Sequence, residues 1–266
     1  MSAEDVEGRG TAAVLASARA EDRAALVGYL PVGYPDVRGS VDAVRALVAG
    51  GADIVEVGMP YTDPGMDGPV IEAASVQALN RGVRVRDVFT AVEAAADAGA
   101  TPVVMSYWNL VLHYGVEAYA RDLSAAGGAG IVTPDLIPEE ADEWIAASDA
   151  HGLDRIFLVA PSSPPDRLSA VVAAARGFVY AASTMGVTGT REDVGDKAEG
   201  LVADTRAAGA RNVCVGLGVS TRAHAAEVAR YADGVIVGSA LVRALADGGP
   251  SAVERVAAQF AEGVRD

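Results

Sequence analysis

Short apolar runs alternate with amphipathic stretches along most of the chain, and the spacing between them is regular. The pattern predicts a helix over residues 11–22 and a first strand over 25–30, closed by Pro31. Ser40 or Asp42 starts a helix that runs to Ala49 and stops at Gly50 and Gly51. A second strand spans 53–57. A long loop follows, then helical patterning over 86–98. Further strands are expected at 102–105, 130–133, 155–159, 177–181, 212–215 and 234–237. Helices are expected between them at 116–126, 139–150, after Pro165, near 197–208 and at 221–230, with a last one at 251–263. The runs are short and apolar throughout, as in parallel strands buried on both faces.

Eight strand–helix units without a Ser- or Pro-rich linker between them predict a single (β/α)8 TIM barrel over residues 1–266, preceded by an extra N-terminal helix. An open doubly wound sheet is the alternative, because strand patterns do not show closure. The count of units and a length of 266 residues favour the barrel. Strand C-terminal ends and the loops after them would then carry the function. The unusual residues Glu56, Asp67, Asp135, Ser183 and Gly216 do fall there.

Composition changes this picture little but removes several functions. A formal charge of −15 argues against nucleic acid and against an anionic membrane as partner. The one cysteine, Cys214, leaves no internal disulfide and suits a reducing, cytoplasmic setting. No apolar stretch reaches the ~18 residues of a membrane span, and the acidic Glu4, Asp5 and Glu7 do not read as a secretory leader. His113, His151 and His224 lack metal-ligand spacing, so no metal is expected.

The stretch 53–77, DIVEVGMPYTDPGMDGPVIEAASVQ, carries the clearest chemistry. Glu56 interrupts an apolar strand between Val55 and Val57 and so points opposite to them, into an interior. A carboxylate there must be partnered, neutralised or used. Asp67 lies in the loop beyond, and the two acids in different environments form a candidate acid/base pair. Residues 183–190, STMGVTGT, suit a loop that closes over substrate. The Gly-rich stretches at 216–220 and 238–239, after strands seven and eight, suit a phosphate site.

These motifs together resemble the tryptophan synthase alpha-subunit family over nearly the full length. The most specific match is VEVGMPYTDPGMDGP at 55–69. It is supported by GYLPVGYPD at 28–36, MSYWN at 105–109, PDLIPEE at 134–140, MGVTG at 185–189, GLGVS at 216–220 and VGSALV at 237–242. The resemblance implies a (β/α)8 fold and cleavage of indole-3-glycerol phosphate to indole and glyceraldehyde 3-phosphate. It implies Glu56 as the proton-transfer group and Asp67 as the anchor of the indole N–H. Tyr107 would flank the indole and Tyr180 would lie beside Glu56. Gly189, Gly218, Gly238 and Ser239 would hold the phosphate. Asp135 would steady the loop of Asp67 or cap the helix after it, and Asp63 would shape the loop or meet a partner. It also implies no cofactor in this chain, and a beta subunit carrying pyridoxal phosphate as partner in an alpha2beta2 assembly. Gly65-Met66 and Thr184 depart from the usual family pattern, in loops that bear on closure.

Other enzymes on such barrels lack their reagents here. A Schiff-base aldolase needs a lysine at a strand end, whereas the single lysine, Lys197, falls in or beside a predicted helix. A stand-alone lyase that releases free indole and a non-catalytic phosphate-binding regulatory subunit remain as alternatives. Intact Glu56 and Asp67 argue against the latter.

Overall fold

The alternation of strands and helices is present in the computed structural model, which describes residues 10–182, 191–216 and 218–266, with only the backbone for 191–196. The strands are β1 (Ala25–Pro31), β2 (Ile54–Gly58), β3 (Thr101–Met105), β4 (Gly130–Val132), β5 (Asp154–Ile156), β6 (Leu158–Val159), β7 (Val179–Ala182), β8 (Val213–Gly216) and β9 (Gly234–Val237). The helices are α1 (Thr11–Ala20), α2 (Val37–Ala49), α3 (Pro69–Asn80), α4 (Asp87–Asp97), α5 (Trp108–Tyr114) and α6 (Val116–Ala125). They continue as α7 (Asp142–His151), α8 (Pro165–Ala174), α9 (Arg191–Ala207), α10 (Arg222–Ala229) and α11 (Ser239–Gly263).

All strand pairings in the sheet are parallel, in the order β5-β4-β3-β2-β1-β9-β8-β7-β6. The two ends of that order, β5 and β6, are halves of one predicted strand, separated at Phe157. β5 pairs with β4 and β6 with β7, so the strand joins both edges and the sheet comes round on itself. A parallel sheet with helices outside and a shared interior is the TIM-barrel arrangement.

Alternation along each strand divides the buried side chains into two sets. Ala25, Val27, Ile54, Val103, Val132, Ile156, Phe178, Cys214 and Ile236 fill the interior. The intervening residues, such as Leu26, Leu30, Val55, Val57, Val104 and Val215, pack against the helices. Leu15 and Ala18 of α1 join the interior set, so the extra helix plugs the N-terminal end of the barrel. Its first residue is tied down by Asp154, whose Oδ2 accepts from the Thr11 N–H at 2.9 Å and from its hydroxyl at 2.7 Å.

Several boundaries differ from expectation for local reasons. α2 starts at Val37 rather than at Ser40 or Asp42, because Asp36 caps it by accepting from the Gly39 N–H at 2.7 Å. The stretch after Asp67 is helical: Pro69 fills the first position of α3, where a missing N–H is harmless. α5 is a short additional helix directly after the MSY end of β3. The last helix starts at Ser239, well before 251, and bends at Gly248 and Gly249 ahead of Pro250.

Candidate active site

Glu56 lies in the middle of β2, faces Tyr29 in the register with β1 and is 1% exposed. By alternation with Ile54 it points into the barrel, above the apolar layer. Its Oε2 has no hydrogen-bond partner. Burial, and then the negative charge of Asp67, pushes its carboxyl up to about 8.

Asp67 lies at the end of the loop after β2, one residue before Gly68, which caps α3. It is half-buried. Burial first, then Glu72 in the first turn of α3, pushes its carboxyl up to about 6. Glu56, held neutral, adds no charge against it. At pH 7 Glu56 is therefore mostly protonated and Asp67 mostly ionised.

Two phenols flank the pair, and both are held protonated far above the usual range. Tyr29 is shifted by burial first, then by Asp67 and Glu56; Tyr180 is shifted by burial, then by Glu56. Each occupies space left by a glycine on the neighbouring strand. A Cβ on Gly58 would sit 2.2 Å from the Tyr29 hydroxyl, and one on Gly216 would sit 2.3 Å from the Tyr180 hydroxyl. Glycine at these two positions is thus a packing requirement. Tyr29 is the site residue that the sequence reading missed. A tyrosine in a wholly buried strand reads as core, and only the register places it opposite Glu56.

Gly238 precedes α11 and accepts from the Leu241 and Val242 N–H groups, so Ser239 is the first residue of the helix. A Cβ on Gly238 would lie 3.3 Å from Ile71 of α3 and 3.6 Å from the Tyr29 ring. This end of the site therefore adjoins the phenol that faces Glu56. Gly218 is exposed in the segment after β8. Gly189 and the whole 183–190 stretch, with Ser183 and Thr184, lie outside the described residues.

Tyr107 is buried, but its hydroxyl is engaged with protein: it accepts from the Met66 N–H at 3.1 Å. Its ring stacks on Tyr61, with centroids 4.8 Å apart. Asp135 does not cap the helix that follows it. Its Oδ1 accepts from the Trp108 N–H at 2.9 Å, at the start of α5 in the preceding unit. Asp63 is exposed and accepts from the Thr62 hydroxyl.

Size alone does not locate the site. A cavity of about 620 Å³ opens at the other end of the barrel, among Ala12, Ala16, Arg19, Asp154, Arg176 and Phe178. It contains no pair of carboxyls in opposite protonation states. Among the described residues, no cluster of three or more His, Cys, Asp or Glu side chains is placed to hold a metal ion. No described helix is long and apolar enough to cross a membrane.

Comparison with known proteins gives a consistent result. The family profile described as "Tryptophan synthase alpha chain" matches residues 15–265. The tryptophan synthase alpha chain of Mycobacterium marinum is 65% identical over 249 residues, covering 94% of this chain and 92% of that protein. Its counterpart from Mycobacterium tuberculosis is 62% identical over 252 residues, covering 95% and 93%. A solved structure of Mycobacterium tuberculosis tryptophan synthase superposes with a TM-score of 0.91 at 60% identity, covering 96% of this chain and 97% of that one. A mutant alpha subunit from the hyperthermophile Pyrococcus furiosus superposes with a TM-score of 0.80 at 31% identity, covering 90% and 96%.

Proposed function

The chain belongs to the tryptophan synthase alpha-chain family, and from that premise we propose how its own residues cleave indole-3-glycerol phosphate to indole and glyceraldehyde 3-phosphate. The reaction is a retro-aldol cleavage. A proton must reach indole C3, and the hydroxyl on the neighbouring chain carbon must lose one. The C–C bond then breaks, its electron pair restores the indole ring and the carbinol carbon becomes the aldehyde. Overall one proton moves from oxygen to carbon.

Glu56 is suited to both transfers. With its carboxyl near 8 it is protonated at neutral pH and donates to C3. The carboxylate left behind is desolvated, and hence basic enough to take the hydroxyl proton and return to its starting state. Asp67, ionised above about 6, accepts from the indole N–H and stabilises the positive charge that C3 protonation puts on the ring. Tyr180 and Tyr107 border the ring pocket. Gly189, Gly218, Gly238 and Ser239 hold the phosphate, with the N-terminus of α11 adding partial positive charge.

The reading takes residues 1–266 as one catalytic domain working in the cytoplasm, in an alpha2beta2 assembly with a beta subunit. Pyridoxal phosphate is assigned to that partner, as membership of the family implies.

The observation that carries the mechanism is the buried Glu56 carboxyl with an unpartnered oxygen beside a second acid. Glu56→Gln keeps the shape and removes the exchangeable proton. Indole release, followed with and without beta subunit, should fall by at least about 100-fold while binding of a phosphate-bearing product analogue persists. Turnover near wild type would remove Glu56 from the proton-transfer role.

A further inference from the structure

We propose that Tyr107 is a positioning residue that latches the Asp67 loop, so that its hydroxyl acts on the reaction through Asp67 rather than through substrate. This rests on the reading of Asp67 given above.

The loop between β2 and α3 has little packing of its own at its far end. A Cβ on Gly65 or on Gly68 would meet nothing within 4 Å, so neither glycine is packed on its side-chain side. At the near end, the Met59 N–H donates to the Met105 carbonyl at 2.9 Å, which fixes where the loop leaves the strand. Among the described residues, the Tyr107 hydroxyl ties residues 65 and 66 to another strand unit: the Gly65 backbone also acts on it, and the Met66 N–H makes the direct hydrogen bond. That bond falls on the peptide next to Asp67. The Tyr61 ring, just beyond the end of β2 at Gly58, stacks on the same phenol at 4.8 Å and 23°. One side chain thus meets the loop at two points.

Tyr107 is itself rigidly held. Its carbonyl accepts from the Leu110 N–H at 3.1 Å and from the Ser106 hydroxyl at 3.2 Å. On one side the Ser106 N–H donates to the Val132 carbonyl at 3.2 Å, and on the other the Trp108 N–H donates to Asp135 at 2.9 Å. The β3 end is therefore braced against β4 and the segment after it, and it passes that rigidity to the β2 loop through one phenol. An acid on a glycine-flanked loop needs such a support to be held to the fraction of an ångström that directed hydrogen bonding demands. The partly desolvated surroundings that raise Asp67 also depend on the loop staying in place.

Tyr107→Phe removes the hydroxyl and keeps the ring that Tyr61 stacks on. The expected result is a kcat lowered about 5- to 10-fold with KM for indole-3-glycerol phosphate within twofold of wild type. The acid limb of the kcat profile should move to lower pH, as a loosened Asp67 gains water. Amide hydrogen exchange at Met66 should quicken by at least about tenfold while the melting temperature holds within a few degrees. Unchanged kcat, a raised KM with kcat held, or unchanged exchange at Met66 would each overturn the latch. The second of these would mean that Tyr107 contacts substrate directly. A wild-type protein that fails to cleave the substrate would instead overturn the function, while exchange at Met66 would still decide whether the hydroxyl secures the loop.

Discussion

Glu56 is a local sacrifice of stability. Its carboxyl ionises near 4.5 in the unfolded chain but only near 8 in the barrel, so between those values the folded state binds more protons than the unfolded one. Folding stability should therefore be fully retained below about 4.5 and fall as pH rises towards 8, by at most about 1.4 kcal/mol per pH unit. Glu56→Gln should cancel that decline. Its melting temperature should match wild type near pH 4.5 and exceed it by a growing margin up to pH 8, while indole release is lost. A constant difference across the range would mean that Glu56 does not titrate as its burial dictates. The two glycines under the phenols give a second prediction. Gly216→Ala drives a methyl into the Tyr180 hydroxyl and should lower kcat at least about tenfold with a destabilisation of about 1–3 kcal/mol. Crystallography of the variant would show the ring displaced, and an undisplaced ring would refute the packing argument. Glu56 was legible in the sequence because a lone acid in an apolar run is costly unless it is partnered, neutralised or used. Tyr29 was not, because an aromatic in a buried strand reads as core, and which strand faces which is set by closure of the barrel.

At the scale of elements, strand positions were readable from apolar runs, whereas helix starts depended on side chains outside the periodic stretch. Asp36 sets the start of α2 with one hydrogen bond, and Pro69 begins α3 where a loop dense in Gly, Pro and Asp gave no apolar period. The fifth strand is one apolar run in sequence but is interrupted at Phe157, with its first half paired to β4 and its second half to β7. The start of α11 has a functional consequence. Ser239 is its first residue, directly after Gly238, at the helix end that favours negative charge. Ser239→Glu places a fixed carboxylate where the substrate phosphate is proposed to bind. KM should rise at least about tenfold while the helix itself tolerates an acid in its first turn. An unchanged KM would take Ser239 out of the phosphate site.

Across the whole molecule, the two ends of the barrel differ in how their acids are partnered. At the C-terminal end Glu56 and Asp67 have no cationic partner among the described residues and are shifted upward. At the N-terminal end the buried Asp154 is also raised by burial, but it holds Thr11, and the half-buried Asp53 and Asp233 are paired with arginines. Asp53 takes Arg23 in two bonds of 2.8 Å and the Leu26 N–H. Asp233 takes Arg19 at 2.7 Å, Arg206 at 2.8 Å and the Val213 N–H at 2.8 Å. Its side chain is 7% exposed, while the Arg19 and Arg206 side chains are 54% and 38% exposed and keep water as an alternative. Removing the carboxylate with Asp233→Ala therefore mainly leaves the Val213 N–H unsatisfied where β8 begins, which should destabilise the protein by about 2 kcal/mol. Because β8 reaches the site only at its other end, at Gly216, kcat of the folded fraction should stay within twofold of wild type. Chemical denaturation read together with indole release measures both quantities. A loss of kcat with unchanged stability would contradict the division of the barrel into an end that holds the fold and an end that does the chemistry.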